Sequence, residues 1–121
     1  MNTVNKTTGL TGENIASNFL LKKGFSILDK NFKLKFGEID LVAKKGNTIH
    51  IVEVKTKTST AKGYPYQQVD YKKLRKLVAL SYIYTKYKKL QDLNLSIDIV
   101  SIVLNNNTSE FDIKFYENIT N

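Results

Sequence analysis

Hydrophobic and polar positions change period along the chain, and each change marks an element. From about Leu10 to Lys23 the apolar residues Ile15, Ala16, Phe19 and Leu20 recur at helical spacing. Thr11 can cap the start, Lys22 and Lys23 fall in the last turn, and Gly24 suits the C-terminal cap. Phe25 to Leu28 and Phe32 to Phe36 read as two short strands, with a bend at Gly37 leading into a strand from Glu38 to Ala43. Lys44 to Asn47 forms a turn, and Thr48 to Thr56 is a strand rich in β-branched residues. Lys57 to about Gln67, with Gly63 and the sole proline Pro65, reads as a mobile loop. The spacing of Leu74, Leu77, Val78, Ser81 and Tyr84 predicts a long amphipathic helix from about Val69 to Lys89. Ser96 to Leu104 is apolar at nearly every position, as in a strand covered on both faces, and Phe111 to Tyr116 alternates as an edge strand should. The order helix, strands, helix, strands implies an α/β fold with one mixed sheet flanked by helices.

One stretch breaks this pattern. GEIDLVAKKGNTIHIVEVKTK, from Gly37 to Lys57, sets Glu38, Asp40, Glu53 and Lys55 among apolar strand residues. Burying charge is costly unless it pairs, hydrogen-bonds or holds a metal. Alternation along a strand aligns Glu53 with Lys55 and Glu38 with Asp40. Carboxylate oxygens on rigid strands suit Mg²⁺ or Mn²⁺, which bind phosphates through one or two carboxylates, so Asp40 and Glu53 are the expected metal ligands and a phosphodiester the expected substrate. The simpler alternative is an internal ion pair with Lys55.

The same residues resemble a known family. Gly37 to Ala43 followed by Val52-Glu53-Val54-Lys55 resembles the YraN family of the PD-(D/E)xK restriction-endonuclease-like superfamily, which is similar to archaeal Holliday-junction resolvases. Gly12-Glu13-Asn14-Ile15-Ala16 resembles that family's GExxA helix, Asn31-Phe32 its NF lead-in, and Ile97 to Val100 its late FDVV strand. Ile39-Asp40 stands where the superfamily has Pro-Asp, and Gln68 to Lys73 departs from the family's EAV-TP-x-K stretch. The resemblance implies a restriction-endonuclease-like fold and a metal-dependent nuclease, with Asp40, Glu53 and Lys55 catalytic and the Val54 carbonyl completing the metal ligands. It further implies that Glu13 joins Asp40 and Glu53 at the metal, and that products carry 5′-phosphate and 3′-hydroxyl ends. Branched DNA and recombination or repair intermediates are the substrates it suggests.

Composition sharpens the picture. The 121 residues suit a single domain spanning 1–121. The absence of cysteine excludes zinc-finger, thiol-nucleophile and disulfide-scaffold readings. No stretch is apolar enough to span a membrane and the N-terminus has no apolar signal core, so the expected setting is cytoplasmic. A formal charge of +8 favours a polyanionic partner, with a lysine-rich solubilising surface as the alternative. Arg75 is the only arginine among nineteen basic residues, which favours backbone or shape recognition over bidentate base readout. The expected partners are nucleic acid, DNA more than RNA, and a second copy of the chain in a homodimer.

Other residues keep two readings. Glu13 lies about 90° from the centre of the first helix's apolar face, where it can turn toward the sheet or simply favour the helix dipole. Glu38 is either a secondary site acid or a solvated carboxylate. His50 falls opposite Glu53 and Lys55 and is a poor general base for them. Asp98 could reach the site or be a buried structural acid. Tyr64, Tyr66 and Tyr71 interleave with Lys62, Lys72 and Lys73, as in stacking on unpaired bases, or they pack on the sheet. Lys72, Lys73, Arg75, Lys76 and Tyr64 are the candidate nucleic-acid contacts, Lys73 foremost. A metal-dependent nuclease is the leading function, and a non-catalytic nucleic-acid-binding module that keeps the fold is the alternative.

Overall fold

The structure is a computed structural model that describes residues 2–58, 65–105, 107–108 and 110–120, without the side chains of residues 2–10, 65 and 68. Tyr64 and Lys62 lie outside the described residues. The elements are α1 (Asn2–Lys22), β1 (Ser26–Leu34), β2 (Gly37–Lys45), β3 (Thr48–Lys57), a short 3₁₀ turn (Pro65–Gln68), α2 (Tyr71–Tyr87), β4 (Asn94–Leu104) and β5 (Phe111–Tyr116). The five strands form one sheet in sequence order. All neighbours are antiparallel except β3 and β4, whose parallel register from Thr48/Asn94 to Lys57/Val103 requires the crossover through α2. This mixed sheet flanked by helices is the expected restriction-endonuclease-like α/β arrangement.

The two helices cover opposite faces. Ala16 and Leu20 of α1 pack with Phe25, Leu41, Ala43, Val52, Val100 and Ile102. Leu77, Leu80 and Tyr84 of α2 pack with Ile39, Val42, Ile49, Ile51 and Ile97. Strands buried on both faces need continuous apolar runs, which is why β4 alternates so weakly in sequence.

α1 ends as its sequence demands. Gly24 takes φ +92°, the Gly24 amide donates to the Leu21 carbonyl at 3.1 Å, and the Phe25 amide donates to the Leu20 carbonyl at 3.0 Å. The helix begins earlier than the periodicity predicts, since residues 2–9 hold no proline to stop it. β1 is one strand where two were expected. A register shift between Ile27 and Asp29 and a left-handed Asn31 at φ 50° interrupt its pattern without ending it. α2 starts two residues late, because Asp70 stays extended as the N-cap and accepts the Lys73 amide at 2.9 Å.

Candidate metal centre and its lysines

The β2–β3 hairpin opens where the charged residues lie. Its ladder runs from Lys45/Thr48 to Leu41/Val52 and stops there. Beyond that point the Val54 amide, instead of joining a backbone pair, donates to Oδ2 of Asp40 at 2.9 Å. Alternation also slips at this position, since Ile39 packs with the α2 cluster while Leu41 packs with the α1 cluster. On the other side of β2 the register skips from Lys30/Leu41 to Phe32/Ile39, leaving Asn31 and Asp40 out of the ladder. Asp40 thus sits at a gap between two strands, which frees its carboxylate from strict alternation.

α1 supplies the second acid. A Cβ on Gly12 would collide with the Thr56 side chain, so the missing side chain lets the helix lie against β3. That approach brings Glu13 to the gap. One oxygen each from Glu13, Glu38 and Asp40 lie within 4.8 Å of one another. Glu13 is hydrogen-bonded by the Asn31 side chain, the role found for the kink in β1.

Electrostatics agree with a crowded acid cluster. Burial raises the Asp40 pKa to about 7, reinforced by the Glu53 carboxylate and only partly offset by the Val54 amide. Burial also raises Glu13, with the Asn31 hydrogen bond opposing and Glu38 adding to the rise. Lys55 beside Asp40 and Lys30 beside Glu13 oppose these rises without cancelling them.

Glu53 stands next to this trio. It is 4% exposed and its Oε1 lies 3.4 Å from Lys55 Nζ and 3.2 Å from Lys73 Nζ. Burial works against the charged form of Lys73, and the Glu53 carboxylate outweighs it and raises the pKa. Lys73, expected to touch a phosphate backbone, is therefore held at the site by Glu53. Lys72, Arg75 and Lys76 remain on the exposed side of α2.

Two other residues are placed elsewhere. His50 Nδ1 and Asp98 Oδ2 lie 2.6 Å apart, buried on the α1 face with Phe25 edge-on to the imidazole at 4.8 Å. Asp98 also accepts from Ser96 Oγ at 2.5 Å and from the Asn118 amide at 3.0 Å. Asp98 is a structural acid with no part in the cluster. Tyr66 packs against Tyr116 at 5.0 Å and its amide donates to Ser101 Oγ at 3.2 Å, which anchors the 3₁₀ turn on the sheet.

Asn31 was not among the expected site residues. Its sequence signals are the Asn31-Phe32 match to the family's NF lead-in and the interruption DKNF between two apolar runs, since asparagine tolerates the left-handed region.

The family model described as Uncharacterised protein family UPF0102 matches residues 12–102, which span every residue of this site. The chain belongs to UPF0102. A UPF0102 protein of Caldanaerobacter subterraneus is 45% identical over 100 residues, covering 83% of this chain and 82% of the relative. One from Clostridium acetobutylicum is 36% identical over 118 residues, 98% and 97% of the two chains, and one from Persephonella marina is 42% identical over 98 residues, 81% and 84%. UPF0102 is the YraN family of the resemblance, and the match begins at Gly12, the residue that seats Glu13 against β3.

Proposed function

We propose that the chain is a metal-dependent nuclease that hydrolyses phosphodiester bonds in nucleic acid, DNA in preference to RNA. One observation carries this reading. Acids from α1 and β2 converge at the gap where β2 leaves β3, and β3 adds a buried carboxylate with a lysine two residues on.

Hard carboxylate oxygens fit Mg²⁺ or Mn²⁺, and the raised Asp40 marks a carboxylate disfavoured by burial and by Glu53 and only partly offset by Lys55, the charge a divalent ion would balance. Asp40 and Glu13 would hold the ion, with Glu38 and Glu53 beside them. Once bound, the ion supplies Lewis-acid polarisation of the phosphoryl oxygens and lowers the pKa of a water.

The remaining work falls to side chains of the chain itself. Lys55, tethered to Glu53, presents a fixed positive charge that orients the attacking water and stabilises charge growing on the phosphate oxygens. Asp40, held by the Val54 amide, keeps its carboxylate in one orientation. Water adds to phosphorus as the bond to the 3′ oxygen breaks, leaving a 5′-phosphate and a 3′-hydroxyl.

The test is a panel of labelled linear, single-stranded, flap and four-way DNA, together with RNA, incubated with Mg²⁺ or Mn²⁺. Cutting by wild type that Asp40→Asn abolishes supports the reading. Binding without any cutting would replace it with a nucleic-acid-binding module.

A further inference from the structure

The outward face of α2 is unusual for a solvated helix. Its sequence YKKLRKLVALSYIYTKY contains five basic residues and no acid. A helical wheel places the exposed residues on one arc of roughly 160°, opposite Leu77, Leu80 and Tyr84. On that arc Tyr71 is 75% exposed, Tyr82 64% and Tyr87 69%, with Ile83 also exposed. Lys72, Arg75, Lys76 and Lys86 stand between the rings.

Two of the rings are held in place. The Arg75 guanidinium lies 5.8 Å from the Tyr71 ring centroid. Tyr87 leans on Phe32 at 6.1 Å and carries Lys88 Nζ at 5.7 Å. Beside Tyr82 opens a groove of about 330 Å³, lined among others by Lys86, Leu90, Leu93 and Leu95. Charge rules out several occupants of this face. An apolar partner would bury four cations without counter-charge, and a second copy would set those four basic residues against four more. A strand of unpaired nucleotides offers phosphates for the cations and bases for the rings.

We infer that the exposed face of α2 is a track for single-stranded nucleic acid leading to the acid cluster. This deepens the nuclease reading and rests on it for the fate of the strand. Lys73 joins the two regions, since it follows Lys72 in the first turn, keeps its side chain 40% exposed and is bonded to Glu53. Lys76 continues the connection, for it lies over Gly37, where a Cβ would come within 2.9 Å of its Cε. From Tyr71 to Tyr87 the track is about 24 Å long. The substrate class is therefore nucleic acid with an unpaired segment beside the scissile bond.

The test measures fluorescence anisotropy in EDTA, so that binding is read without turnover. The probes are oligothymidylate, oligouridylate and a blunt DNA duplex of equal length. Wild type is expected to prefer the single strands. Tyr71→Ala and Tyr82→Ala should each weaken single-strand binding about tenfold and leave the duplex within about twofold, while the Tyr→Phe variants retain binding. Oligothymidylate against oligouridylate tells DNA from RNA.

Equal losses on single strand and duplex, or none, overturn the track. So does sedimentation showing that the Ala variants convert a dimer to monomer with nucleic-acid affinity unchanged. Cleavage is then assayed separately with Mn²⁺. Tyrosine-dependent single-strand binding with no cleavage keeps the track and removes the nuclease reading, whereas cleavage of blunt duplex unaffected by the tyrosine changes does the reverse.

Discussion

Lys73, in the first turn of α2, places its Nζ 3.2 Å from the same Glu53 oxygen that Lys55 approaches to 3.4 Å. Two cations from different elements thus hold one buried carboxylate beside Asp40. Helix and sheet meet here through charge as well as through the apolar cluster. Removing Lys73 takes one of two lysine partners from Glu53 among the described residues, and because the Lys73 side chain is 40% exposed, solvent screens part of its contribution. Lys73→Ala should cost about 1 kcal/mol in urea denaturation, and a double-mutant cycle with Glu53→Gln should show the two sites to be coupled.

Gly12 makes a second prediction. Gly12→Ala puts a methyl group onto Thr56 Oγ1, and either the helix or the strand must move. The expected loss is about 1–3 kcal/mol of stability, with Glu13 displaced from the cluster. Thr56→Ala removes the obstructing hydroxyl and should restore part of both stability and metal response in the double variant, read by thermal melts with and without Mn²⁺.

Much of this was legible in the chain because it is encoded locally. The Leu20–Phe25 helix end needs only a glycine at the right offset, and the GEID and VEVK segments announce charge inside apolar strands. What could not be read depends on residues meeting across the sheet. The slip of alternation at Asp40 arises from losing its partners on both sides, and no local pattern shows that. For Glu38 the chain leaves a secondary site acid and a solvated carboxylate equally open, and only the hairpin's opening sets it beside Glu13. His50 and Asp98 are 48 residues apart and meet through a parallel register that sequence periodicity leaves undetermined.

That buried pair gives a third prediction. Asp98 is fully buried, and its partners include the His50 ring, the Ser96 hydroxyl and the Asn118 amide. Asp98→Ala strands all three and should cost about 3–5 kcal/mol. Since it lies on the α1 face away from Glu53 and Lys55, folded Asp98→Ala at low temperature should keep wild-type metal affinity by calorimetry.

Asp40 sets the pH dependence. Its folded pKa of about 7 lies above the ordinary carboxyl value of 3.8, so the folded chain binds the extra proton between those limits. The metal-free protein should therefore lose stability as pH rises from about 4 to 7, and Asp40→Asn should flatten that slope. A divalent ion must displace the proton, so its affinity should rise about tenfold per pH unit between about 5 and 7. Thermal melts across pH, with EDTA or Mn²⁺, measure both, and a stability rising over this interval would contradict the burial of Asp40.

Lys55 separates chemistry from binding. Its ammonium is tied to Glu53 at the acid cluster, whereas Lys72, Arg75 and Lys76 lie on the exposed side of α2. If Lys55 acts on the attacking water and the charge developing in the transition state, Lys55→Ala should lower turnover by about 10²-fold or more and change affinity little. Lys72→Ala should do the opposite, weakening binding with a log-log salt slope reduced by about one unit while single-turnover cleavage at saturation persists. Single-turnover cleavage and salt-dependent anisotropy on the same substrate distinguish the two. Equal losses of binding and cleavage in Lys55→Ala would make that lysine one more phosphate contact.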